Sequence, residues 1–95
     1  MKYQILQIKD FESCNYMFTN YDRAIKYGFS LDDYEVVYES EIILTENIED
    51  TLEELFYMFN VNHPEDFEGH SLSVSDIIYL DSSYYYVDSI GYKKL

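Results

Sequence analysis

The sequence predicts an α+β fold, a small single domain of order β-α-β-α-β-β in which one or two helices pack on a mainly antiparallel sheet. Several short segments alternate apolar and polar residues, which is typical of strands, and one longer segment repeats its apolar residues at helical spacing. A length of 95 residues suits one domain over residues 1–95. Aromatic residues form 19% of the chain, and their large buried area favours a packed core over disorder.

The chain should begin with a strand, a loop and a short helix. Residues 2–11 alternate, and both alternating sets contain large apolar side chains, so this strand should be covered on both faces. Residues 11–20 have no clean period, which indicates a loop. Asn20 can cap a helix over residues 21–28, and Gly28 can end it.

The clearest strand covers residues 34–44. Its alternation predicts three carboxylates on one face, and such a face meets either solvent or a partner. The two predicted faces are Tyr34, Val36 and Tyr38 on one side, and Glu35, Val37, Glu39 and Glu41 on the other.

An amphipathic helix is predicted over residues 46–60. Asn47 can cap it, with Asp50 three residues further on. Carboxylates crowd its first half, and the helix dipole favours only some of them. Its apolar stripe consists of Leu52, Leu55, Phe56 and Phe59.

The rest of the chain should complete the sheet. Residues 76–80 are apolar on both faces, which predicts a central strand. Residues 81–83 indicate a turn, and residues 84–89 indicate a returning strand. Its three consecutive tyrosines cannot all lie on one face, because strand side chains alternate. Gly91 should then bend the chain into a short basic tail.

The stretch from His63 to Leu80 contains histidines, carboxylates and serines, and it raises the question of an active site. His63 and His70 are seven residues apart and share no helical face, and a calcium-loop pattern fails at Pro64 and Ser75. No nucleophile motif surrounds its serines. We therefore interpret the stretch as a crossing from helix to sheet, and we expect no enzyme activity, no catalytic residue, no metal and no cofactor.

Two segments carry a resemblance to a known family. The residues FNVNHPEDFEGHSLSVSDIIYL (59–80) and YYVDSIGYKKL (85–95) resemble the signature of the YodL-like domain. That family is found in bacteria, phages and conjugative elements, often beside antirestriction domains. The resemblance implies a single YodL-like domain over residues 1–95, and it assigns no catalytic residue. It also supports the crossing interpretation.

The charge carries the functional signal. The formal net charge is -13, and the 66 residues from Tyr27 to Tyr92 (92 − 27 + 1) contain no Lys or Arg but sixteen of the nineteen Asp and Glu residues. Such an excess keeps a protein soluble, yet its repulsion destabilises the compact state. Besides solubility, it can serve binding. We expect one continuous acidic, partner-binding face formed by Asp32, Asp33, Glu35, Glu39, Glu41, Glu46, Glu49, Asp50, Glu53 and Glu54.

Two functions fit this surface. The first is a phage or mobile-element inhibitor that imitates DNA and occupies the basic site of a bacterial defence nuclease, such as a restriction or CRISPR effector, or of another DNA-binding protein. The second is a protein-protein interaction module that uses exposed tyrosines or a sheet edge, without DNA mimicry. We expect no direct contact with nucleic acid or membrane. A lone Cys14 and the absence of a signal peptide predict a cytoplasmic protein.

Overall fold

The computed structural model describes residues 1–10, 12–43 and 47–95. It confirms the α+β prediction, with a five-stranded antiparallel sheet and two α-helices. None of the described helices is long and apolar enough to cross a bilayer. The elements are β1 (Lys2–Ile8), α1 (Tyr21–Lys26), a 3-10 turn (Leu31–Asp33), β2 (Tyr34–Glu41), α2 (Ile48–Val61), β3 (Ile77–Leu80), β4 (Ser83–Val87) and β5 (Tyr92–Lys94).

The predicted basic tail is wrong, because Tyr92–Lys94 form the fifth strand. This strand pairs with β4 through Tyr85 and Lys94, Tyr86 and Lys93, and Val87 and Tyr92. Three residues are too few to show an alternation, so its pattern could not be recognised in the sequence. Gly91 precedes the strand with φ of +72°, which permits the predicted bend.

The sheet has the strand order β2-β1-β3-β4-β5, and every pair is antiparallel. Strand β3 lies at the centre, as its continuous apolar sequence predicts, and Ile77, Ile78 and Leu80 are fully buried. Strands β2 and β5 are the two edges. Helix α2 follows β2 in the chain, and residues 62–76 connect it to the central strand.

Each face of the sheet is covered by its own hydrophobic cluster. Helix α2 covers one face, named here the α2 side, with Leu52, Leu55 and Phe59. Helix α1 and its flanking loops cover the other, the α1 side, with Tyr16 and Ala24. The double coverage predicted for β1 is confirmed: Tyr3 and Ile5 lie on the α2 side, and Leu6 and Ile8 lie on the α1 side.

The predicted caps and turn are also confirmed. The Asn20 side chain accepts a hydrogen bond from the Arg23 backbone N–H at 2.9 Å, and Gly28 follows the helix with φ of +89°. Strands β3 and β4 are joined by Asp81 and Ser82, whose φ angles of 51° and 64° suit a tight two-residue hairpin.

Candidate acidic binding surface

A β-bulge interrupts strand β2. Ile5 of β1 pairs with Tyr38, but the next residue, Leu6, pairs with Val36, so Val37 is an extra residue on the β2 side. One extra residue shifts every later side chain to the opposite face. The regular alternation predicted for this strand is therefore wrong.

The bulge separates the three glutamates that were predicted to share a face. Cross-strand partners point to the same side of a sheet. Glu39 pairs with Gln4, which lies on the α1 side by the alternation of β1, and Glu41 lies on that side too. Glu35 pairs with Gln7, which lies on the α2 side. The prediction of one shared face is correct for Glu39 and Glu41 and wrong for Glu35.

Two tyrosines give the physical reason for the bulge. Regular alternation would place Tyr34 and Tyr38 on one face. Instead the Tyr34 hydroxyl donates to the Ser75 carbonyl oxygen at 2.5 Å within the α1-side cluster. The Tyr38 ring packs on the other side against Phe59 and Phe67, with ring centroids at 5.4 and 5.9 Å. Each aromatic pair contributes about 0.5–1.5 kcal/mol beyond burial, so packing both rings offsets the local disruption of the strand pairing.

Glu39 is held by neighbours on β1. Lys2 Nζ lies 2.9 Å from Glu39 Oε1, and Gln4 Nε2 donates to Glu39 Oε2 at 2.9 Å. The hydrogen bond from Lys2, followed by that from Gln4, lowers the pKa of the Glu39 carboxyl. Both charged side chains are exposed, by 61% and 42%, so solvent screens the pair and its stabilisation is small. It is the one Lys or Arg ion pair with a carboxylate among residues 1–10, 12–43 and 47–95.

Asp32 and Asp33 lie in the 3-10 turn that precedes β2. The Asp32 backbone N–H donates to the Ser30 hydroxyl at 3.1 Å, and Asp33 Oδ2 accepts from the Tyr16 hydroxyl at 2.6 Å. Both aspartates are exposed. Eight residues of extended chain separate Asp33 from Glu41, about 26 Å at roughly 3.3 Å per residue. The two ends of the acidic set on this edge are therefore far apart.

The first half of helix α2 carries four described site residues. The predicted cap is confirmed, because the Asn47 side-chain oxygen accepts from the Asp50 N–H at 2.8 Å, and Asn47 Nδ2 donates to Asp50 Oδ2 at 3.1 Å. Glu49, Asp50, Glu53 and Glu54 are all exposed. The tenth site residue, Glu46, lies outside the described residues.

Glu53 faces the opposite edge of the sheet from β2. It lies beside Tyr92 of β5, where burial raises the pKa of the Tyr92 phenol and the Glu53 carboxylate raises it further. Strands β2 and β5 are separated by four strand spacings, about 19 Å at roughly 4.8 Å each. The carboxylates of β2 and Glu53 therefore lie at opposite edges of the sheet.

These positions describe an acidic envelope around the domain, and they correct the expectation of one continuous acidic face. The predicted residues occupy both sides of the sheet and both of its edges. Fifteen of the sixteen carboxylates between Tyr27 and Tyr92 are described, and thirteen of these are exposed. The two that are not exposed are Asp88, which is half-buried, and Asp76, which is buried.

A buried polar cluster connects the predicted crossing to β1. Gln7 Nε2 donates to the His70 carbonyl oxygen at 2.8 Å and to Asp76 Oδ2 at 3.2 Å. The Ser73 backbone N–H donates to the same Asp76 oxygen at 2.8 Å, and His70 Nε2 lies 3.7 Å from the other. Gln7 and Asp76 are 2% and 1% exposed. Each hydrogen bond here fixes the path of the chain between α2 and β3, which agrees with the crossing interpretation.

Ser75 ties the end of the crossing to three other segments. It has φ of 83°, an unusual conformation for a residue with a side chain. Its N–H donates to the Val87 carbonyl oxygen at 2.9 Å, its hydroxyl accepts from the Phe18 N–H at 2.9 Å, and its carbonyl accepts from Tyr34. The serine spacing in the sequence gave no indication of these long-range bonds.

Asp76 should make stability depend on pH. Burial raises the pKa of its carboxyl above the ordinary 3.8, although the Ser73 hydrogen bond and His70 act in the other direction. The folded state then holds a proton that the unfolded state releases, so stability is full below about pH 4 and falls as pH rises through the folded pKa. We expect Asp76→Asn to reduce this fall, because the substituted side chain has no carboxyl proton to release as the pH rises. Urea unfolding at pH 5 and pH 8 gives the free energy of unfolding of both proteins. An equal decrease from pH 5 to pH 8 in the parent and the variant would contradict the assignment.

The tyrosine triplet of β4 alternates as predicted. Tyr86 is fully buried on the α1 side, where its hydroxyl donates to the Thr19 carbonyl oxygen at 2.7 Å. Tyr85 packs against the α2-side cluster, and Tyr84 against the α1-side cluster, with its ring 4.9 Å from that of Tyr79. Both are only partly buried, so they remain candidates for partner contacts.

Within the described part of the chain, no group of three or more His, Cys, Asp or Glu side chains is placed to hold a metal ion. The family model with the description YodL-like domain matches residues 2–95. No curated protein and no solved structure matches the chain.

Proposed function

The chain belongs to the YodL-like domain family, and from that membership and the acidic envelope we propose that it is a non-catalytic binding protein that imitates DNA. Its partner is a bacterial defence nuclease, of the restriction or CRISPR type, or another DNA-binding protein. The protein occupies the basic surface through which that partner holds DNA. We place this encounter in the cytoplasm. In this proposal the protein itself contacts neither a nucleic acid nor a membrane.

One observation carries the proposal: thirteen exposed carboxylates lie in a 66-residue stretch that contains no Lys or Arg. The domain measures 35 × 26 × 22 Å. Its net charge of -13 along 35 Å is one charge per about 2.7 Å (35 divided by 13). Duplex DNA carries one charge per roughly 1.7 Å of axis. The protein thus approaches the line charge of DNA over the length of about one helical turn.

The arrangement of the carboxylates favours a particular kind of target. Phosphates surround a duplex on all sides, and the carboxylates here likewise occupy both sides of the sheet and both edges. A channel that encloses DNA can engage such an envelope, whereas a flat basic patch would meet only part of it. Glu39 and Glu41 would contact one wall of the channel, and Glu53 and Glu54 on helix α2 another.

A competition experiment tests the proposal. Tagged protein is incubated with bacterial lysate that contains restriction and CRISPR effectors, with or without excess duplex DNA and at rising salt. We expect a nuclease to be retained, and to be displaced by duplex DNA and by about 0.5 M salt, because such contacts are screened at that ionic strength. A retained partner that ignores both DNA and salt would overturn the DNA-mimic proposal.

Matched variants sharpen this experiment. Neutralising Glu49, Glu53 and Glu54 to Gln removes three exposed charges from α2 and leaves the Asn47–Asp50 cap intact, and we expect retention to fall at least tenfold. The control neutralises Asp10, Glu12 and Asp22, exposed acidic residues outside the acidic stretch. Equal losses in both variants would show a dependence on net charge only, without a preferred surface.

The second candidate function is a protein-protein interaction module without mimicry. The observation that favours it is the strand order, which leaves β2 at an edge of the sheet. Exposed tyrosines provide further contact area, since Tyr57 is 64% and Tyr27 45% exposed. A partner bound in this way would persist in the presence of duplex DNA.

A further inference from the structure

The outer edge of β2 presents backbone groups at regular positions. Met1 and Ile42 exchange two hydrogen bonds, at 2.9 and 2.8 Å, so they form a hydrogen-bonded antiparallel pair. Bonded and non-bonded pairs alternate along such a ladder. Glu41 and Glu39 therefore belong to non-bonded pairs, and their backbone N–H and C=O groups point away from β1. Among the described residues, no strand lies beyond this edge.

The side chains along this edge disfavour an acidic strand and permit a basic one. Glu39 and Glu41 project from the α1 side of the sheet, about 6.7 Å apart, the repeat of every second residue in a strand. Lys2 satisfies part of this charge through its pair with Glu39. A second copy of β2 would bring glutamates opposite glutamates, and like charges directly opposite each other are destabilising. Charged edges of this kind are a common protection against self-association. They do not exclude a strand of opposite charge.

Exposed apolar residues lie on both sides of Glu39 and Glu41 along the chain. Ile43, two residues beyond Glu41, is 88% exposed, and Val36 at the bulge is 48% exposed. Beside the bulge, the surface forms an open cleft that Glu35 and Glu68 help to line. A docked strand would therefore pair with the segment from Glu39 to Ile43, because the bulge interrupts the regular edge before it.

We propose that the open edge of β2 binds an extended basic segment of a partner protein by strand addition. The segment carries two Lys or Arg residues separated by one residue, which face Glu39 and Glu41, and an apolar residue that meets Ile43. Backbone hydrogen bonds to Glu39 and Glu41 supply affinity, and the charge pairs supply register. This proposal deepens the second candidate function and rests on it.

A synthetic peptide tests the proposal directly. The probe is an eight-residue peptide of alternating Lys and Thr, since Thr favours the extended conformation. Titration into the isotope-labelled protein should shift the amide signals of residues 38–43. The Glu39 and Glu41 amides, which face outward, should exchange slowly with solvent only when the peptide is bound. The same peptide with alternate backbone nitrogens methylated cannot complete the ladder, and we expect at least tenfold weaker binding.

The variants use the separation that the bulge imposes. E39Q/E41Q removes both charges that face the added strand, and we expect about three- to tenfold weaker peptide binding, in line with the modest strength of cross-strand charge pairs. E35Q/E68Q removes the same number of charges from the cleft beside the bulge, so it is the matched control and should bind as the parent does. An alternating Glu and Thr peptide should not bind.

The outcomes separate this proposal from DNA mimicry. Equal binding of the methylated and unmethylated Lys peptides would overturn strand addition and leave only general attraction to an acidic protein. Amide shifts spread over α2, together with unchanged peptide binding by E39Q/E41Q, would also overturn strand addition. The peptide titration contains no DNA and no nuclease, so its outcome does not depend on the DNA competition in the lysate experiment, and the two proposals can fail separately.

Discussion

Phe59→Ala is expected to lower the free energy of unfolding by about 3–5 kcal/mol, the range for removing a buried Phe side chain. Phe59 is fully buried at the centre of the α2-side cluster. Its ring packs against those of Phe67, Tyr38 and Tyr3, with centroids at 4.8, 5.4 and 6.2 Å. The expected loss exceeds the transfer free energy of the removed atoms, because the three rigid neighbouring rings cannot collapse into the cavity.

Tyr57→Ala is the matched control for Phe59→Ala. Tyr57 lies on the same helix, two residues earlier, but is 64% exposed, so we expect a change within about 0.5 kcal/mol. Urea unfolding followed by circular dichroism measures both variants against the parent. Equal effects of the two substitutions would contradict the assignment of Phe59 to the packed face of α2.

Gly69→Ala is expected to destabilise the protein by about 1–3 kcal/mol, the usual range for an overpacked site. An added Cβ would lie 2.5 Å from Gln7 Oε1 and 2.8 Å from the Phe67 ring. Neither neighbour moves freely, because Gln7 is held by its bonds to His70 and Asp76, and Phe67 is wedged against Phe59. The glycine is therefore required by this close approach of the crossing to β1.

Thermal unfolding of Gly69→Ala and of Glu68→Ala distinguishes packing from a general loop effect. Glu68 is the preceding residue and is exposed, so its substitution should leave the melting temperature almost unchanged. If Gly69→Ala matched the parent protein, the close approach of the crossing to Gln7 would not be a constraint in solution.

Local sequence patterns predicted the elements that they describe. The Asn20 and Asn47 caps, the apolar stripe of α2 and the apolar run of β3 each depend on a few neighbouring residues, and each is confirmed. The strand β5 was missed because Tyr92–Lys94 are too short to show an alternation. The cluster of Gln7, His70 and Asp76 was also missed, because Gln7 lies 63 and 69 residues from His70 and Asp76 in the sequence.

The class of the fold, the order of most elements and the acidic character of the molecule all follow from local patterns and composition. The directions in which the carboxylates point depend instead on tertiary packing. Tyr34 and Tyr38 pack in different clusters, on opposite sides of the sheet, against partners far away in the sequence. That requirement inserts Val37 as a bulge and turns Glu39 and Glu41 away from Glu35. The surface available to a partner is thus set by long-range packing, which a strict alternation along one strand does not contain.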